Sequence, residues 1–169
     1  MHKRSKASVM KNLKLKILQL ITIASVIALD QATKLLAIKH LMPIKKLPII
    51  TGVFNLRYVE NTGAAFSMLQ GQRFFLIAVP IIVIIAIAYL LISDKIKSRL
   101  GSWSLAVILS GAIGNLIDRI MHGYVVDMFD FELISFPVFN VADIAVTVGA
   151  ILFFIYAIFF YEEEGSKNG

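Results

Sequence analysis

The 169-residue sequence has no cysteine, one tryptophan, three histidines and few charges: only 17% of its residues are Asp, Glu, Lys or Arg. Without cysteine there is no disulfide scaffold, no thiolate nucleophile, no Cys-ligated zinc and no iron–sulfur cluster. Intrinsic disorder is excluded too, because 58% of the residues are hydrophobic and disordered chains lack that much apolar surface. A soluble domain carries about 25% charged and about 45–50% apolar residues. The departure, with mean hydropathy +0.80, is toward lipid.

Acid is scarcer than base, which leaves a formal net charge of +6. Lys3, Arg4, Lys6, Lys11, Lys14 and Lys16 all fall in the first sixteen residues, with no acid among them; beyond them bases and acids balance at eleven each. The excess is therefore a local orientation signal in a basic tail, residues 1–16, and not a nucleic-acid surface.

Crossing about 30 Å of hydrocarbon takes about 20 helical residues. Phe74 to Ser93 is uncharged and contains Pro80, which a membrane helix tolerates where neighbours satisfy the freed carbonyl. Leu100 to Ile117 is uncharged and rich in small residues (Gly101, Ser102, Ser104, Ser110, Gly111, Gly114), which predicts the most closely packed helix. Ile144 to Tyr161 is the third such run. Near the N-terminus, Ile17 to Leu29 gives only 13 uncharged residues before Asp30, a length that also suits a cleavable leader. No small-x-small cleavage site follows, and apolar character resumes from Ala32 to Ile38, so an uncleaved helix is expected.

The fold class is thus an all-α polytopic membrane protein, a single integral domain with spans of about 17–37, 74–93, 100–120 and 142–161. A small extracytoplasmic β-rich segment is expected from residues 40–72 and 121–139. There Phe54, Leu56 and Tyr58 alternate before an Asn61-Thr62-Gly63 turn, and Tyr124 to Phe131 is again strand-like. The two pieces should pair, because extended backbone is not tolerated unpaired in lipid. The basic tail and the Lys95–Lys97–Arg99 loop place both termini in the cytoplasm, with residues 162–169 as a solvated tail.

The costly residues are few: Asp30 and Lys34; Asn115, Asp118 and Arg119; Asp127 and Asp130; Asn140 and Asp143. All lie toward the outer ends of spans, and ionisable groups at membrane depth persist when paired or functional. Each has a plain structural reading. Asp30 and Lys34 are spaced for an intrahelical ion pair, Asp118 and Arg119 for a bundle-fixing network, Asn61 for a turn and Asp130 for a solvated loop acid. Asp143 has the position of a helix N-cap. Capping explains Asp143 or Asn140 singly, but not the company they keep.

Reaction types can then be eliminated. His2, His40 and His122 lack zinc-ligand spacing, no phosphate loop exists, and Ile108 breaks a nucleophile pattern at Ser110-Gly111. What remains is two aspartates sharing a proton, one as base on water and one as acid toward a peptide carbonyl, with no metal or cofactor required. Spacing alone does not choose the two. A four-span exporter would need an ionisable group near mid-membrane, which the last three spans lack; an assembly subunit would need no dyad.

The blocks D-Q-A-T-K (Asp30 to Lys34), N-T-G-A-A-F (Asn61 to Phe66), G-N-L-I-D-R (Gly114 to Arg119), V-V-D-M (Val125 to Met128) and F-N-V-A-D (Phe139 to Asp143) stand in this order. With four spans, the chain resembles the bacterial lipoprotein signal peptidases (signal peptidase II) over nearly its whole length after the tail. The resemblance implies Asp127 and Asp143 as the catalytic dyad and Asn61, Arg119 and Asn140 in the substrate and inhibitor site. Asn115, Asp118, Asp30, Lys34 and Gly63 would support them. Met128 stands where phenylalanine is common in the family, a swap that keeps bulk. The resemblance also implies a monomer of the bacterial cytoplasmic (inner) membrane whose partners are lipidated prolipoprotein substrates and membrane lipid. Cleavage would fall before a diacylglyceryl-cysteine at the outer face. Residues 53–70, flanked by Gly52 and Gly71, are expected to clamp the substrate.

Overall fold

The computed structural model describes residues 6–63, 71–134 and 136–160. Seven elements run in the order α1 (Lys6–His40), β1 (Lys46–Ile50), β2 (Phe54–Asn61), α2 (Arg73–Ile92), α3 (Arg99–Met121), β3 (Val125–Phe131) and α4 (Val141–Phe159). All four helices are long and apolar enough to cross a membrane. Helices α2, α3 and α4 match the expected spans to within two residues at each end. Helix α1 begins at Lys6, where a basic tail had been expected to run to residue 16. Lysine is a good helix former and no Gly or Pro interrupts residues 6–40, so the helix runs on past the apolar stretch.

Helix α3 is the centre of the bundle and packs against all three others. Lipid is as apolar as leucine, so helices associate through close packing of small residues and polar contacts. A Cβ on Gly111 would meet the Ala142 carbonyl oxygen, and one on Gly114 would lie 2.6 Å from Asp30 Oδ2. These glycines let α1 and α4 approach α3 at the end where the polar residues gather. Gly114→Val should push Asp30 out of place and lower stability by about 1–3 kcal/mol, read as a reduced unfolding temperature in detergent. Gly123→Ala, which tests a positive-φ turn with nothing closer than 3.7 Å, should cost less.

Strands β1, β2 and β3 form an antiparallel sheet in that order. The β2–β3 pairing expected from the sequence is present, with Val59 opposite Asp127 and Asn61 opposite Val125. The register shifts between Leu56 and Val59, so Asn55 and Tyr58 are the buried residues of β2 and the simple alternation of Phe54, Leu56 and Tyr58 is broken. Asp130 is buried on β3, 9% exposed, and is not the solvated loop acid expected. Strand β1 was not foreseen: Pro48 marks it as an edge strand and all five of its residues are exposed. One apolar cluster, Ala37, Leu41, Tyr58, Val126 and Met128, seats the sheet on the end of α1. A second, centred on Ile87, Leu105 and Leu109, joins α2 to α3.

Candidate active site

Each polar residue of the site is set by a local structural need. The first turn of α4 leaves backbone N–H groups without intrahelical partners. Asn140 is the N-cap: its Oδ1 accepts from the Asp143 amide at 2.9 Å, and Asp143 Oδ2 accepts from the Asn140 amide at 3.2 Å. The two form a capping box, so Asp143 sits three residues inside the cap and is not itself the N-cap. The Ala142 amide goes to Asp30 Oδ1 at 2.9 Å, which ties α4 to α1. Phe139 hydrogen-bonds with β3, accepting from the Phe129 amide at 2.8 Å and donating to the Phe129 carbonyl at 3.1 Å. This places Asn140 beside Asp127.

Asp127 is 2% exposed. Its Oδ1 accepts from Asn140 Nδ2 at 2.7 Å and its Oδ2 from Asn61 Nδ2 at 3.0 Å. Asp143 Oδ1 accepts from Asn115 Nδ2 at 2.7 Å. Asn140 therefore touches both aspartates, one through its side-chain amide and the other through its cap. Both carboxyls border one cavity of about 490 Å³, together with Asn61, Asn115, Arg119 and Phe139. Burial, and then the neighbouring Asp143 carboxylate, push the Asp127 carboxyl up from 3.8 to about 7, against the opposing pull of the Asn61 and Asn140 donors.

The orientation of each asparagine amide is forced, because its oxygen faces a group that only donates. Asn61 Oδ1 accepts from the Gly63 amide at 3.0 Å, Asn115 Oδ1 from the Lys34 ammonium at 3.0 Å, and Asn140 Oδ1 from the Asp143 amide. The NH2 of each must then turn toward an aspartate. Asn61, Asn115 and Asn140 thus each donate a side-chain N–H to one of the two carboxyls, and Asn140 donates its second to Asn115 Oδ1 at 3.2 Å.

Beneath this lies a buried polar layer. Lys34 Nζ lies 2.9 Å from Asp30 Oδ2, 3.1 Å from Asp118 Oδ2 and 3.0 Å from Asn115 Oδ1, which uses all three of its donors. Asp118 Oδ2 also accepts from the Val126 amide at 3.0 Å, anchoring β3 to α3. The intrahelical Asp30–Lys34 pair expected from the spacing is present, as part of a larger network.

Gln31 was missed by the sequence reading. Its Nε2 reaches Asp30 Oδ2, Asp118 Oδ1 and the Gly114 carbonyl at 3.0–3.2 Å. The only hint was its place between Asp30 and Lys34 in D-Q-A-T-K. Arg119 lines the cavity, donates to the Gly63 carbonyl at 3.0 Å, and has a buried Nε without a partner among the described residues. Of the expected clamp over 53–70, residues 64–70 lie outside the described residues. Among the described residues no group of three or more His, Asp or Glu is placed to hold a metal ion.

With this geometry established, residues 22–159 match the family described as signal peptidase (SPase) II. The chain belongs to the signal peptidase II family. Its relatives include a lipoprotein signal peptidase of Caldanaerobacter subterraneus subsp. tengcongensis, 50% identical over 141 residues that span 83% of this chain and 95% of the relative. One from Brevibacillus brevis is 48% identical over 126 residues, 75% of this chain and 85% of the other. A solved structure described as a bacterial membrane enzyme superposes with a TM-score of 0.77 at 31% identity, covering 89% of this chain and 91% of its own. Membership of the signal peptidase II family makes the chain a multi-pass bacterial membrane peptidase.

Proposed function

We propose that the protein removes the signal peptide from diacylglyceryl-modified prolipoproteins as an intramembrane aspartic endopeptidase, with Asp127 and Asp143 as its dyad. The observation that carries this reading is the shared cavity in which Asn140 holds both carboxyls. Two carboxyls so placed hold one proton between them. The ionised one takes a proton from a water as that water attacks the scissile carbonyl, and the protonated one donates to the carbonyl oxygen. The tetrahedral intermediate then collapses as the amine leaves with a proton from the pair.

Arg119 and Asn61, both of which line the cavity, bind the substrate backbone in this scheme. Asn115, Asp118, Asp30, Lys34 and Gly63 hold the machinery in place. The sheet lies at the same end as the dyad, and Lys11 and Lys14 near the start of α1, with Arg99 at the start of α3, lie at the other. Under the positive-inside rule this supports a topology with both termini in the cytoplasm and the site at the outer face of the cytoplasmic membrane. A diacylglyceryl anchor in the outer leaflet would hold the scissile bond at that level.

The test is precursor processing by the reconstituted protein. A precursor bearing a diacylglyceryl-cysteine should be cut to a product that begins at that cysteine, by mass spectrometry, while the unmodified precursor remains whole. Equal cutting of both, or of neither, overturns the reading. The pH profile adds a second check. The shared proton is present at low pH and is lost as pH rises through about 7, so the rate should fall on the alkaline side of that value. Asn61 stabilises the ionised form of Asp127; Asn61→Ala should therefore move the alkaline limb upward by about one pH unit.

A further inference from the structure

At the end of the bundle opposite the dyad, α1 and α3 enclose a cleft of about 540 Å³. The two helices run parallel, since Lys11 to Leu18 face Arg99 and Trp103 at this end, while Lys34 faces Asn115 and Asp118 at the other. Lys11, Lys14 and Arg99 form one level of the lining, and Leu15, Leu18 and Trp103 form the next level toward the membrane interior. On α1 the cations precede the leucines by four residues, and on α3 Arg99 precedes Trp103 by four, about one helical turn in each case. No acid lines the cleft, and none of its three cations has an ion-pair partner among the described residues. Lys16 differs, being paired with Asp94 at 3.0 Å.

We propose that this cleft binds an anionic phospholipid, with Lys11, Lys14 and Arg99 around its phosphate and Leu15, Leu18 and Trp103 against its acyl chains. The order of chemistry along the membrane normal carries the proposal: cations without an ion-pair partner among the described residues, one turn outside an apolar wall, repeat the order of a phospholipid, headgroup phosphate first and hydrocarbon next. Leu18 is 54% exposed, so the apolar wall opens sideways to lipid, while Met10 lies at the outer end of the lining, before Lys11. A basic pocket between helices at a cytoplasmic surface suits an anionic headgroup. The site is remote from the dyad and does not depend on the proposed reaction. Its effect would be to anchor the inner end of α1 against α3 through a lipid bridge.

Trp103 is the only tryptophan of the chain, so tryptophan emission, excited selectively over the five tyrosines, reports on this cleft. The full chain is reconstituted in phosphatidylcholine vesicles that contain the same minor fraction of either dibrominated phosphatidylglycerol or dibrominated phosphatidylcholine. The anionic lipid should quench Trp103 with an association about fivefold or more stronger, since even one cation near an anionic headgroup is worth roughly that factor. Combined Lys11→Gln, Lys14→Gln and Arg99→Gln should bring the ratio to about one, without changing emission in pure phosphatidylcholine or the rate of precursor cleavage there. Equal quenching by the two lipids in the unsubstituted chain overturns the proposal. If a preference then emerges on replacing Glu162, Glu163 and Glu164 by Gln, the acidic tail is the occupant. A preference that survives the triple substitution also overturns it, assigning the effect to the tail bases Lys3, Arg4 and Lys6.

Discussion

Asp127→Asn and Asp143→Asn should each reduce precursor cleavage by about a thousandfold or more, leaving the lipidated precursor uncut on a gel. In the proposed mechanism either change removes one of the two carboxyls between which a proton moves, and general acid–base catalysis by a positioned group contributes about a hundred- to ten-thousandfold. The double variant should be no slower than the worse single one, because two groups that act as a unit are not additive. Structure is largely kept. In Asp127→Asn one amide oxygen still accepts from Asn140 or Asn61, and in Asp143→Asn it still accepts from the Asn140 amide. Each substitution sets one NH2 against another, a loss of about 1–3 kcal/mol, so membrane insertion and unfolding temperature are measured alongside cleavage. Normal processing by both variants would remove the dyad from the mechanism.

The last three spans were legible in the sequence because the requirement behind them is simple, about 20 uncharged residues in a row; the first, interrupted by Asp30, was legible only because apolar character resumes from Ala32 to Ile38. The strands were legible in part. Phe54 to Tyr58 and Tyr124 to Phe131 have the composition of strands, yet the bulge between Leu56 and Val59 changes which side chains are buried, and alternation alone does not reveal a bulge. Strand β1 was hidden because a Pro-containing strand with five exposed residues has no pattern to show. Asp130 was misjudged because burial in a sheet depends on what covers the sheet.

At the site, the sequence showed that costly residues cluster toward one end of the spans but not which would meet. Asp127 reaches Asn140 only because Phe139 hydrogen-bonds to Phe129, and Asp143 reaches Asn115 only because α3 and α4 pack closely at Gly111. Both depend on helix rotation and strand register, which spacing along the chain does not specify.

Lys34→Met should be the most destabilising single change, about 3–5 kcal/mol, because it removes one partner of a buried charge network. Lys34 is 2% exposed, and its loss leaves Asp30 and Asp118 buried, hydrogen-bonded among the described residues by Gln31, Ala142 and Val126 but without their ammonium partner. Lys34→Arg should not rescue it, since a planar guanidinium does not reproduce three donors from one point to Asp30, Asp118 and Asn115. Asp30→Asn added to Lys34→Met should recover part of the stability, by about 1–2 kcal/mol, by removing one uncompensated charge. Cleavage should not recover with it. Without the ammonium, Asn115 Oδ1 keeps only the 3.2 Å bond from Asn140 Nδ2, so its NH2 is held less firmly on Asp143, and the carboxyl relies more on the Asn140 amide for its position. Unfolding in detergent reads the first effect, and the cleavage rate of the fraction that remains folded reads the second. Parallel recovery of stability and cleavage in the double variant would reduce Lys34 to a charge partner and remove its part in aiming Asn115.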